Sequence, residues 1–142
     1  FGLMTGCSSN KAVEPVEEVV QPVVEEVVEE VVEEAVIIDT TFYFEFDSAS
    51  LTTAARAALM LHAERLSASP SSIRLEGHAD ERGSREYNMA LGERRANAVR
   101  DFLVLQGVDA GLIETISYGE EQAAVMGSGE MVWSKNRRVE LK

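Results

Sequence analysis

From Val13 to Val36 the chain is built almost wholly of Val and Glu, eleven of one and nine of the other, with VVEE three times in succession at Val23–Glu34. No regular element accommodates this pattern. In an α-helix a four-residue period advances about 400°, so the apolar stripe drifts by about 40° at each repeat. Glu25, Glu29 and Glu33 also stack at i,i+4, as do Glu26, Glu30 and Glu34, which is unfavourable for like charges. In a strand, VVEE places both Val and Glu on each face. Pro15 and Pro22 interrupt either structure early. Residues 8–38 are therefore expected to form an extended, self-repelling, disordered tether. Folding is left to residues 39–142.

Charge divides the chain at the same place. Residues 1–38 carry a net of −8 and residues 39–142 a net of −4, out of −12 in total. The acidic balance speaks against a nucleic-acid binder, which needs clustered Lys and Arg to neutralise phosphates. It speaks equally against a basic helix adsorbed on anionic lipid. The sequence implies no cofactor. A lone cysteine, Cys7, excludes an internal disulfide and a Cys-based zinc cluster. Leu3-Met4-Thr5-Gly6-Cys7 resembles a bacterial lipobox, in which residues 1–7 would close a signal peptide and Cys7 would carry lipid. The alternative is an ordinary thiol.

The remainder reads as alternating elements. Thr41–Phe46 alternates, with Phe42, Phe44 and Phe46 on one face and Tyr43 and Glu45 on the other, as a half-buried strand does. Leu51, Ala55, Leu59, His62 and Leu66 recur at helical spacing, and Pro70 ends that helix. Ile73–Gly77 alternates again. A long helix is expected from Ser84 to about Gln106, with Gly107 in the stop position. Ile113–Tyr118 reads as a third strand. A loop with Gly119, Gly127 and Gly129 follows, and Arg137–Leu141 closes as a fourth strand. The order β-α-β-α-β-β predicts an α+β domain, a mixed four-stranded sheet with helices packed on one face.

One helix position is out of character. At about 100° per residue, Leu91, Arg95, Val99 and Phe102 fall within about 80° of one another, and Asn88 shares their stripe. Arg95 is thus expected in the core, where an unpaired guanidinium is very costly. The nearest supply of acceptors is the turn GHADERGSREYN at Gly77–Asn88, with Asp80 at the end of a strand, where loops often carry ligands. Spacing leaves two outcomes open: a buried Asp80–Arg95 pair that only fixes the loop, or a pair of charges meeting a ligand.

The segment GHADERGSREYNMALGERRANAV at residues 77–99 resembles the signature of the OmpA-like peptidoglycan-binding domain family, most closely its peptidoglycan-associated lipoprotein (Pal) branch in Gram-negative bacteria. FYFEFD at 42–47, SYGEE at 117–121 and WSKNRRVELK at 133–142 are similar to flanking family segments in the same order. The resemblance implies an outer-membrane lipoprotein with its domain in the periplasm. It also implies non-covalent capture of the diaminopimelate residue of the peptidoglycan stem, whose free end carries an ammonium and a carboxylate. Asp80 would take the ammonium and Arg95 the carboxylate, since a guanidinium can bind both oxygens in a fork. Asp47, Asn88, Leu91 and Arg137 match other family positions lining the pocket. The family commonly has Thr where this chain has Ala79, so a hydroxyl contact would be missing. Partners in a Tol system are implied by the resemblance alone.

Two alternatives stand beside this. Another OmpA-like envelope anchor would share the domain outside the Tol-Pal system. A metal-dependent enzyme would use His78 and Asp80, with His62 a distant third ligand. Zinc catalysis normally needs three protein ligands and an open position, and His62 sits on an apolar stripe. No nucleophile elbow, P-loop or dinucleotide fingerprint is present.

Overall fold

The two long helices and four strands expected from periodicity are all present in the computed structural model, which describes residues 37–142. Cys7 and the Val/Glu tract lie outside the described residues. The order is β1 (Thr41–Tyr43), α1 (Thr53–Ala68), β2 (Ile73–His78), α2 (Arg85–Leu105), β3 (Ile113–Gly119), α3 (Glu130–Asn136) and β4 (Arg138–Leu141). The strands form one sheet in the order β1-β4-β2-β3. β4 runs antiparallel to both β1 and β2, while β2 and β3 are parallel. That parallel pair needs a crossover, which α2 supplies.

Local chemistry sets the helix limits. Thr52 caps α1 by accepting from the Ala55 N–H at 3.0 Å, and Ser84 caps α2 by accepting from the Tyr87 N–H at 3.1 Å. After α2 the chain turns at Gly107 with φ of 104°, which a side chain would resist. The stripes meet in one core: Phe42, Leu75 and Val139 from the sheet pack with Leu59, Ala63 and Leu66 of α1 and Val99 and Leu103 of α2. The α+β architecture matches the sequence expectation.

β2 and α2 approach closely enough that only glycine fits at their crossing. A Cβ on Gly77 would lie 1.8 Å from the carbonyl oxygen of Gly92. This contact brings the C-terminal end of β2 against the first turns of α2, and the candidate site is built there.

Three details differ from the sequence expectation. The β1 ladder stops at Tyr43. Phe44 is still buried, but at Asp47, with φ of 53°, the chain turns back, leaving Phe46 58% exposed. The loop expected before the last strand contains α3, and Arg137 caps that helix rather than opening β4. Seven residues after a glycine carry too little periodicity to be read as a helix. On α2, Leu103 is fully buried and Phe102 only packs alongside.

Candidate ligand-binding site

Beyond the C-terminal end of β2 lies an open cleft of about 220 Å³, lined by Phe46, Asp47, Asp80, Arg82, Gly83, Tyr87, Asn88 and Leu91. Three segments contribute: the turn after β1, the β2–α2 turn, and the first two turns of α2. Four of the residues expected from sequence, Asp47, Asp80, Asn88 and Leu91, are thereby brought together. The other three are placed elsewhere.

Asp80 is 5% exposed, and its carboxylate is held by arginines. Oδ1 accepts from the backbone N–H and Nε of Arg82 at 3.0 and 3.2 Å, and Oδ2 accepts from Arg82 Nη2 at 2.8 Å. Arg137 Nη1 stands 3.6 Å from Oδ2. Burial works against the charge on Asp80. The hydrogen bonds from Arg82 and the fields of Arg82 and Arg137 outweigh it, and the carboxyl stays below its ordinary pKa. It is an ionised acid at neutral pH.

Arg95 has no solvent exposure, as its place on the core stripe required. Its acceptors, however, are not carboxylates. Nε donates to the Ser48 carbonyl at 2.8 Å, Nη1 to the His78 carbonyl at 2.9 Å and Nη2 to the Glu45 carbonyl at 3.0 Å. No hydrogen bond or ion pair joins it to Asp80, so the direct Asp80–Arg95 pair considered from spacing is not formed. Burial pushes the guanidinium down to about 10, opposed by the nearby Asp80 and Asp47 carboxylates, and it remains charged. Arg95 stands behind the cleft and ties the turn after β1 to the end of β2.

Arg137 plays a matching part. Its Nε donates to the Phe44 carbonyl at 2.8 Å, and its Nη2 donates to Glu130 at 2.7 Å. Asn88 is 1% exposed and its Nδ2 donates to Glu120 at 2.9 Å. Asp47 accepts from the Tyr87 hydroxyl. Ala79, 3% exposed, does not line the cleft; it faces a separate hollow with Glu81, Glu120 and Asn136.

Sequence reasoning passed over two polar cleft groups, Arg82 and Tyr87. Arg82 bonds Asp80 and lies between two aromatic rings, its guanidinium carbon 4.0 Å from the centroids of both Phe46 and Trp133. Tyr87 holds the Asp47 turn. The one available signal was the spacing Asp80-x-Arg82, which favours a side-chain-to-backbone turn. Trp133 is at the rim, with Nε1 donating to Glu81 at 3.0 Å.

The histidines do not converge on Asp80 as metal ligands. His62 Nε2 bonds the Asp39 carbonyl at 2.7 Å, and its ring meets Phe42 edge-on. His78 stacks on Tyr118, its ring nitrogens without hydrogen-bond partners. Among the described residues no three His, Cys, Asp or Glu side chains gather as a metal site.

A mixed β1-β4-β2-β3 sheet with a charged cleft at the head of α2 thus defines the domain. The chain belongs to the OmpA family, whose model matches residues 43–137. It is 57% identical over 103 residues to the peptidoglycan-associated lipoprotein of Pseudomonas aeruginosa, covering 72% of this chain and 61% of that protein. It is 50% identical over 102 residues to the peptidoglycan-associated lipoprotein of Haemophilus influenzae, covering 71% of this chain and 67% of the relative. The aligned stretch thus spans about three-fifths of the Pseudomonas relative and two-thirds of the Haemophilus one. Among solved structures it is similar to the peptidoglycan-associated lipoprotein from Burkholderia pseudomallei, with a TM-score of 0.71 and 42% identity, covering 72% of this chain and 88% of that one.

Proposed function

We propose that this protein is an outer-membrane lipoprotein that holds the cell wall non-covalently by its diaminopimelate residue. Lipid on Cys7 would anchor it, residues 8–38 would span the gap, and the domain would work in the periplasm, in a Tol-Pal system. The similarity to peptidoglycan-associated lipoproteins supports the class of target. The observation that carries the chemistry is the Asp80 carboxylate, buried yet ionised at the floor of an open cleft. Such a group binds a cation strongly because little water competes. In this reading Asp80 receives the ammonium of the ligand's free end.

For the carboxylate of the same end to be met, the turn after β1 has to move aside and uncover the fully buried Arg95. Three of its five N–H groups are committed to carbonyls, and two remain for an acceptor. Asn88, Leu91 and Asp47 shape the wall, and Arg137 supports Asp80 from behind. The methyl of Ala79 lies outside the cleft, so the absence of a hydroxyl there should change affinity little.

Pull-down by purified sacculi tests the assignment. Asp80→Asn in the full chain removes the charge with little change of shape and is expected to abolish capture while the domain still melts cooperatively. Capture at the wild-type level would refute the reading.

A further inference from the structure

Arg82 sits where a ligand's cation would have to sit. Its guanidinium engages both oxygens of Asp80 through Nε and Nη2, at 3.2 and 2.8 Å. The same group lies 4.0 Å from the ring centroids of Phe46 on one side and Trp133 on the other. An ammonium approaching Asp80 meets a carboxylate whose two oxygens are already engaged and a pair of aromatic faces already filled by a cation.

We propose that Arg82 is an internal competitor that occupies the cation subsite of the empty cleft, and that ligand binding is an exchange of Arg82 for the ligand's ammonium between the Phe46 and Trp133 rings. The inference rests on the reading of Asp80 as the ammonium site. Several features make the exchange feasible. The Arg82 side chain is 29% exposed, so it has solvent to swing into, whereas the Asp80 side chain is 5% exposed and stays behind. The backbone bond from Arg82 N–H to Asp80 Oδ1, at 3.0 Å, persists without the guanidinium and keeps the turn formed. Gly83 follows at once, with φ of 97°. Partly exposed ion pairs contribute little net free energy, and the rings stabilise whichever cation lies between them.

Selectivity follows from the exchange. Replacing one cation by another on Asp80 is nearly neutral, so a simple amine gains nothing by entering. A ligand whose ammonium is joined to a carboxylate gains the second contact and displaces Arg82. The internal cation therefore filters out monocationic amines at the expense of affinity, since only the fraction of molecules with Arg82 swung out is competent to bind. When the cleft is empty, the same contact gives the buried Asp80 carboxylate a second cation beside Arg137, which stands 3.6 Å from Oδ2.

The test compares the full chain with its Arg82→Gln variant, by calorimetric titration with the stem tripeptide ending in meso-diaminopimelate and with n-pentylamine as a monocationic amine. Arg82→Gln is expected to bind the tripeptide about tenfold more tightly and to acquire measurable n-pentylamine binding, with none expected in the wild type. Equal or weaker tripeptide binding by Arg82→Gln would overturn the proposal, making Arg82 a ligand contact or a mere support. Asp80→Asn, run alongside, separates the two levels: tripeptide binding unaffected by it refutes the ammonium site itself. Should Arg82→Gln fail to fold, the wild type still decides. The Arg82 Nε–H signal in an NMR titration is expected to shift and to exchange faster with water at saturation, and an unchanged signal would overturn the exchange.

Discussion

Gly92, inside α2, is the position where two simple expectations have opposite signs. Helix propensity favours Ala over Gly by about 1 kcal/mol in a helix interior. The packing says otherwise. A Cβ at position 92 would lie 2.3 Å from Ser117 Oγ and 2.9 Å from the Gly77 carbonyl oxygen. Ser117 cannot simply yield, because its hydroxyl donates to the Met89 carbonyl at 2.7 Å and accepts from the Gly119 N–H at 3.2 Å. The Gly77 oxygen belongs to β2 and moves only if helix and strand separate. Overpacking of this kind costs about 1–3 kcal/mol, and losing the Ser117 bond about 1 kcal/mol more. Set against the propensity gain, Gly92→Ala should destabilise by about 2 kcal/mol, lowering Tm by about 8–16 °C for a domain of this size. Thermal melting of the full chain followed by circular dichroism reads this directly. Ser117→Ala in the same background removes the nearest atom and should restore part of the loss. A Gly92→Ala protein that melts at or above the wild-type temperature would refute the steric argument.

Two other outcomes follow from single groups. Burial, helped by the Arg138 charge, lowers the His78 pKa from 6.5 to about 4. Because the folded pKa lies below the unfolded one, the unfolded chain takes up the proton first; stability is whole above about pH 6.5 and declines as pH falls towards 4, by up to about 3 kcal/mol. Denaturant midpoints across that range should fall in the wild type and stay flatter in His78→Phe, and identical profiles would remove His78 as the source. Asn136 accepts from the N–H groups of Ala124 and Val125 at 2.7 and 3.1 Å and donates to the Val125 carbonyl at 2.9 Å. Asn136→Ala should cost about 2–3 kcal/mol and open the 120–129 segment to limited proteolysis, and wild-type resistance there would show that the segment is held by other contacts.

The parts of the domain that periodicity could reveal were the parts in which one face is uniformly apolar. Ala55, Leu59, His62 and Leu66 on α1, and Leu91, Arg95 and Val99 on α2, are buried as their spacing demanded. Arg95 was legible as an anomaly because a guanidinium among Val and Leu must be satisfied, but its acceptors were not, because backbone carbonyls carry no sequence signal. Phe46 was misread for a related reason: alternation continues in the sequence past Tyr43, where the ladder ends, and Phe46 falls in the turn that follows. Gly77 and Gly92 each look like weak points in an element and instead mark where two backbones touch. Arg82 lay hidden because its partners Phe46 and Trp133 reach it from distant parts of the chain.

Arg95 and Arg137 explain how the cleft can be both charged and rigid. The turn carrying Phe46 and Asp47 has few apolar contacts of its own, since Phe46 is exposed. It is held by guanidinium groups bonded to its carbonyls: Arg137 to Phe44, and Arg95 to Glu45 and Ser48. Using arginine for this has a second effect. Each guanidinium brings a positive charge close to Asp80, and the field of Arg137 helps hold that carboxyl ionised against its burial. A neutral donor could anchor the same carbonyls but would not supply that field. Arg137 therefore both fixes the turn beside the cleft and helps keep the carboxylate at its floor ionised.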